Sequence, residues 1–218
     1  MQEPAATPVP QTLPFGEPTP LGLLGLAIGC AALVPIAFGM LPTDPGKVAL
    51  ALKTAAWFCL VFGGGCQFLA GIMNLANKNT LGGTLLTTFS FNWIMNWWAL
   101  DQLSQGKVPD GTIILAVDVA FIVVFVVLTY AFGFFSKLLF LFLLDIDALY
   151  IIRIVRHFVT PLSPTWNAMG TGIGIATVVL AGLALYISFA LLVNPSAGHA
   201  VFPVPGPLFK PRAPQPAA

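Results

Sequence analysis

Few side chains in this chain could do chemistry, and their surroundings limit what that chemistry is. Gln67 closes the run Phe62-Gly-Gly-Gly-Cys-Gln67, and Gly63, Gln67 and Gly71 recur at intervals of four, which places them on one helical face. Thr84 and Thr88, and likewise Asn92 and Asn96, are one turn apart in the next apolar run, which also holds Thr87, Ser90, Trp93, Trp97 and Trp98. Asp118 interrupts another apolar run, and Asp145 and Asp147 interrupt a further one that closes on Arg153 and Arg156. Neither His157 nor His199 lies beside a serine or cysteine in a nucleophile motif, so the chain does not read as an enzyme. Cys30, Cys59 and Cys66 make no C-x-x-C pair, which argues against a zinc or other metal site, a haem or other cofactor, and a disulfide framework. The chemistry left is non-covalent. Amides, hydroxyls and carboxylates at membrane depth are costly unless water, a partner helix or a solute meets them.

Each of these groups has a plain structural reading beside the functional one. The glycines suit close helix packing, whereas Gln67 is expected to face a lumen. The threonine and asparagine row fits interhelical hydrogen bonds or a hydrated path, and the tryptophans fit an interfacial belt. For Asp118, a proton relay and pairing with a neighbouring helix both stand. Asp145 is expected to face inward, with Asp147 about 200° round the helix from it. Arg153 and Arg156 suit snorkelling anchors at the interface.

The elements that must position these groups follow from composition. The 218 residues are 57% hydrophobic and 8% charged, against about 25% charged in a soluble domain. Nine basic and eight acidic residues leave no basic face for phosphates, so nucleic acid is not an expected partner. The chain is expected to be an all-α integral membrane protein, with the lipid bilayer as its surroundings. Spans of about 20 apolar residues are read at 21–40, 54–75, 81–100, 112–135, 138–155 and 169–193. Six spans put both termini on one side. Lys and Arg divide five to four between the two sides, which does not orient the protein. Residues 1–20 and 197–218 are proline-rich and are expected as flexible tails around a six-helix domain at 21–196. Thr19 suits a helix N-cap and Pro20 the first helical position, so Leu21 and Gly22 open a helix whose positive end favours anions.

With these residues in place, the chain resembles the acetate uptake transporter family, the YaaH/SatP type of monocarboxylate permease. The stretch Glu17-Pro-Thr-Pro-Leu-Gly-Leu23 is similar to the family's N-P-[AS]-P-L-G-L signature. Phe62-Gly-Gly-Gly-Cys-Gln67, Ala70-Gly71, Asn79-Thr-Leu-Gly82 and Thr84 follow its F-x-G-G-x-x-Q, A-G and N-T-F-G-x-T series. Leu143-Leu-Asp145 resembles the F-L-D of its fungal branch. The resemblance implies a six-helix protomer enclosing its own pore and assembled into a homohexamer, in the cell membrane with cytoplasmic termini. It also implies a hydrophobic constriction at Leu26, Phe89 and Leu144, with Ala184 lining the passage. The sequence departs from the family at Glu17, which replaces the signature asparagine, at Leu26, which replaces a phenylalanine common in bacterial members, and at Phe89, which replaces the tyrosine of the family's Y-G-S-F-W.

The function expected on these grounds is uptake of a small monocarboxylate such as acetate, channel-like or proton-coupled. Its substrate-binding and pore residues would be Glu17, Thr19, Leu21, Gly22, Leu26, Gln67, Thr88, Phe89, Asn92, Leu144, Asp145 and Ala184, and Asp118 or Asp145 would be the proton carrier. A passive channel for small neutral solutes such as urea, ammonia or water is the alternative. A non-transporting scaffold is a third, and its mark would be Gln67, Asn92 and Asp145 all bonded between helices.

Overall fold

A computed structural model describes residues 14–210. Helix starts follow local capping chemistry. The side chains of Asp44, Asn79, Asp110, Ser136 and Ser163 each accept a bond from a first-turn backbone N–H. Such a cap is worth roughly 1 kcal/mol. Pro45 and Pro164 occupy the first turns of their helices, where a missing N–H does no harm.

The elements are α1 (Thr19–Ala37), α2 (Pro45–Phe58), a π-helical segment (Cys59–Cys66), α3 (Gln67–Ala76), α4 (Thr80–Ser104), α5 (Gly111–Phe132), α6 (Lys137–His157) and α7 (Pro164–Ala197). Because α2, the π segment and α3 run on without a break, the described residues form six rods, and every element among them is helical. The second rod begins nine residues earlier than the span expected at 54, because the Asp44 cap and Pro45 start it before Lys47 and Lys53. Among the described residues, four rods are long and apolar enough to cross a membrane: Thr19–Ala37, Pro45–Ala76, Gly111–Phe132 and Pro164–Ala197. The polar row on α4 and the carboxylates on α6 dilute the other two. Even so, the 21 residues of α6 rise about 31 Å, the depth of a hydrocarbon core.

Successive rods alternate in direction, so one end of the bundle gathers Thr19, Ala76, Thr80, Phe132, Lys137 and Ala197. Helix α1 is central and packs on α7, the π segment and α3, while α5 packs chiefly on α6. Small residues allow the close approaches. A Cβ at Gly25 would overlap the Phe62 carbonyl in the π segment, and one at Gly63 would overlap the indole of Trp93. Gly29 closes on the same indole, where a Cβ would lie 3.0 Å away. Trp93 is therefore buried between α1 and the π segment, which corrects its placement in an interfacial belt; Trp98 is the exposed member of the three.

The proline-rich stretch after α7 folds back instead of hanging free. Gly198, at φ 70°, ends α7, and Asn194 exchanges two bonds with Phe202. The Pro205 carbonyl accepts from Ser136 Oγ, and the backbone N–H groups of Leu208 and Phe209 donate to the Gly133 carbonyl. Phe209 lies among Tyr130, Phe134 and Phe140 at 5.3, 5.4 and 5.8 Å between centroids. The expectation of a flexible tail thus requires correction at 198–210, while residues 1–13 and 211–218 lie outside the described residues.

Candidate functional site: a polar-mouthed cavity above an apolar layer

Side chains from α1, α4, α6 and α7 surround a cavity of about 750 Å3. Its mouth lies at the end away from the termini, where Arg153, Arg156, Trp166 and Asn167 line it. Its deep end is formed by Cys30, Phe89, Ile146 and Leu180. One helical turn nearer the termini come Leu26 on α1, Leu143 on α6 and Ala184 on α7, each with no exposed surface. Together with Phe89 they belong to a single apolar cluster. Phe89 meets Phe125 edge-on at 5.2 Å, and Phe125 stacks on Tyr150 at 5.4 Å, which joins α4 to α5 and α6 at this depth.

Gln67 lies at the same depth. The rod that carries it meets Trp93 at Gly63 and Thr87 at Gly71, so Gln67 lies between two close approaches of this rod to α4. Its side chain is fully buried, and neither amide atom has a hydrogen-bond partner among the described residues. An orphaned buried amide of this kind costs about 1–3 kcal/mol.

The other expected site residues divide into groups. Asn92 lines the cavity beside Phe89. Gly22 is a packing position, where a Cβ would sit 3.0 Å from Leu86 and 3.1 Å from Ala70. Leu21 is exposed on the outer surface, and Thr88 is half-buried outside the cavity lining. Leu144 is 44% exposed, which contradicts its place in the constriction. The reason is register. Phe142, Leu143, Ile146, Asp147 and Tyr150 form the buried face of α6, and Leu144 is turned about 100° from Leu143.

The positive end of α1 is also occupied by the chain itself. Glu17 Oε1 accepts from the Thr19 N–H at 3.0 Å, and the Leu21 N–H donates to the Pro18 carbonyl at 3.1 Å. Pro18 and Pro20 have no N–H to offer, so the free donors expected there for an anion are depleted. Thr19 is held by Asn74, whose Nδ2 donates to its hydroxyl at 3.3 Å; Asn74 Oδ1 accepts in turn from Asn79 at 2.8 Å.

Among the carboxylates, Asp118 is paired. Arg153 approaches it through Nη2 at 2.9 Å and Nε at 3.1 Å, a two-pronged contact that joins α5 to α6. Arg153 therefore holds a buried partner, which the snorkelling reading did not include. Asp147, buried, accepts from Thr129 Oγ1 at 2.7 Å. Asp145 is half-buried, and its Oδ2 is enclosed with no partner among the described residues. Sequence reasoning missed Leu143, the Asp147–Thr129 bond and the Arg156–Trp166 pair. The stripe at 142, 143, 146 and 150 was the signal that could have placed Leu143 inward.

Residues 1–102 match the GPR1/FUN34/yaaH family. A curated relative, the glyoxylate pathway regulator of Yarrowia lipolytica (strain CLIB 122 / E 150), is 28% identical over 199 residues, covering 88% of this chain and 68% of the relative. Among solved structures, that of the bacterial acetate channel SatP superposes with a TM-score of 0.74 at 18% identity, covering 87% of this chain and 99% of that one. That likeness establishes a shared fold.

Proposed function

We propose, on the premise that this chain belongs to the GPR1/FUN34/yaaH family, that it carries small monocarboxylates such as acetate across a membrane and is not an enzyme. The observation that carries this reading is the cavity ending on Cys30, Phe89, Ile146 and Leu180, with Leu26, Leu143 and Ala184 fully buried one turn beyond and the orphaned Gln67 amide at that depth. An apolar layer opposes a hydrated ion strongly, since removing a carboxylate from water is costly without compensating bonds. A small acid with one polar end and one methyl group meets that layer on better terms, especially when protonated or held by an amide donor. Gln67 Nε2 supplies such a donor and Asn92 another nearer the mouth. The solved acetate channel of the same fold supports the choice of solute.

Proton coupling, if it accompanies transport, fits Asp145 better than Asp118. The Asp145 carboxylate has an enclosed oxygen without a partner, whereas Asp118 is neutralised by Arg153. The scaffold alternative asks for Gln67, Asn92 and Asp145 to be bonded between helices; among the described residues the Gln67 amide and Asp145 Oδ2 have no partner and Asn92 lines the cavity, which favours the transport reading. A homohexamer with cytoplasmic termini in the cell membrane completes the proposal on the strength of the family resemblance.

Purified protein in liposomes, loaded with labelled acetate outside, tests the reading. Uptake above that of empty vesicles is expected. Equal uptake in both at every pH would reject monocarboxylate transport, and rapid osmotic shrinkage in urea without acetate flux would favour the neutral-solute channel.

A further inference from the structure

At the mouth of the cavity, Arg156 is built into the wall in a way that no helix-end anchor requires. Its guanidinium carbon lies 3.5 Å from the centroid of the Trp166 ring, and its Nε donates to the Trp166 carbonyl at 3.3 Å. Both contacts come from the start of α7, where Ser163 caps the helix through the Trp166 N–H at 3.1 Å. Ring and carbonyl therefore fix the plane of the fork, while the two Nη groups have no carboxylate partner among the described residues. The neighbouring cation differs: Arg153 is already matched by Asp118. Arg156 is thus an uncompensated positive charge on the wall of a cavity otherwise lined mainly by aliphatic and aromatic groups.

We propose that Arg156 and Trp166 form an outer capture site for a carboxylate, separate from the apolar layer, with the acid's alkyl part directed toward Leu33, Leu149 and Leu180. A planar guanidinium whose Nε is engaged still offers its Nη edge to both oxygens of a carboxylate, a match that a lysine ammonium cannot reproduce. The aliphatic walls below favour a short-chain monocarboxylate over an inorganic anion, since only the former has apolar surface to bury. At 750 Å3 the cavity has room for acids longer than acetate. The site concentrates substrate before the rate-limiting passage of the layer. It rests on the transport reading for its purpose, but its binding chemistry is measurable alone.

Two readouts separate the two ideas. In the first, the protein carrying fluorotryptophan is titrated with sodium acetate, butyrate or the neutral isostere acetamide, and the Trp166 resonance, assigned through Trp166→Phe, is followed by fluorine NMR. Acetate and butyrate should shift it, acetamide should not, and Arg156→Gln should abolish the response. In the second, liposome flux is measured against acetate concentration. Arg156→Gln should raise KM about fivefold with kcat little changed, and added salt should raise KM in the parent but not in the variant, as for one partly screened charge. Arg156→Lys, which keeps the charge and the fold, should fall between them. A silent Trp166 resonance in a protein that transports acetate would overturn the capture site and leave transport standing. A responsive Trp166 in a protein with no flux would do the reverse.

Discussion

One residue of register on α6 decides which leucine stands in the layer. Leu143 is fully buried in the cluster with Leu26, Phe89 and Ala184, whereas Leu144 is turned outward. Removing three buried carbons from Leu143 leaves a space in that cluster, and such truncations destabilise by about 2–5 kcal/mol. We expect Leu143→Ala to lower thermal stability and to admit acids larger than those the parent passes, read as a changed ratio of butyrate to acetate flux. Leu144→Ala should change stability by no more than about 0.5 kcal/mol and leave that ratio unmoved, as an outward substitution does. The reverse result would return the constriction to Leu144. The motif Leu143-Leu-Asp145 was legible in the sequence, but two adjacent leucines look alike until the helix face is known.

At the scale of the element, the π segment is where the second rod adapts to its neighbours. A π turn adds a residue to the helical repeat and so changes which side chains face inward on either side of it. Here it falls on Cys59–Cys66, with glycines at 63, 64 and 65. Gly63 meets the face of Trp93, with Gly29 of α1 on the same indole. A Cβ at Gly63 has to move a buried indole in a packed interior, which costs about 1–3 kcal/mol. Gly63→Ala should therefore lower thermal stability, and Gly63→Ala combined with Trp93→Phe should lose less than the sum of the two single changes. Strict additivity would show that the indole is not what the missing Cβ makes room for. Gly65 is exposed, so the same substitution there should be mild.

At the scale of the whole molecule, a segment whose composition reads as a loose tail is docked on the ends of α5, α6 and α7. Prolines at 203, 205 and 207 exclude a helix, yet their backbone carbonyls are good acceptors and their fixed φ lowers the entropy lost on docking. Tyr186 donates to the Pro203 carbonyl at 3.0 Å, and Gly133 gives Phe209 room beside Tyr130 and Phe134. Phe209→Ala should lower the thermal midpoint and expose residues 198–210 to limited proteolysis. An unchanged digestion pattern for Phe209→Ala would show that the aromatic contact does not hold the segment.

Apolar runs, caps and prolines determined the class and number of the rods, because span length and helix ends depend on neighbours in the chain: Asp44-Pro45, Asn79, Asp110, Ser136 and Ser163-Pro164 each mark a start. The same local text marked Gln67 and Asn92 as polar groups that need a partner at membrane depth, whereas Phe89 was singled out by the family resemblance alone. Contacts between distant segments decided the rest. Whether Asp118 is a free carboxylate or the partner of Arg153, whether Trp93 lies at the interface or between two glycines, and whether Leu143 or Leu144 is turned into the apolar cluster depend on how rods separated by dozens of residues are rotated against one another. Helical periodicity alone does not set that rotation, because packing density and burial are properties of the assembled bundle.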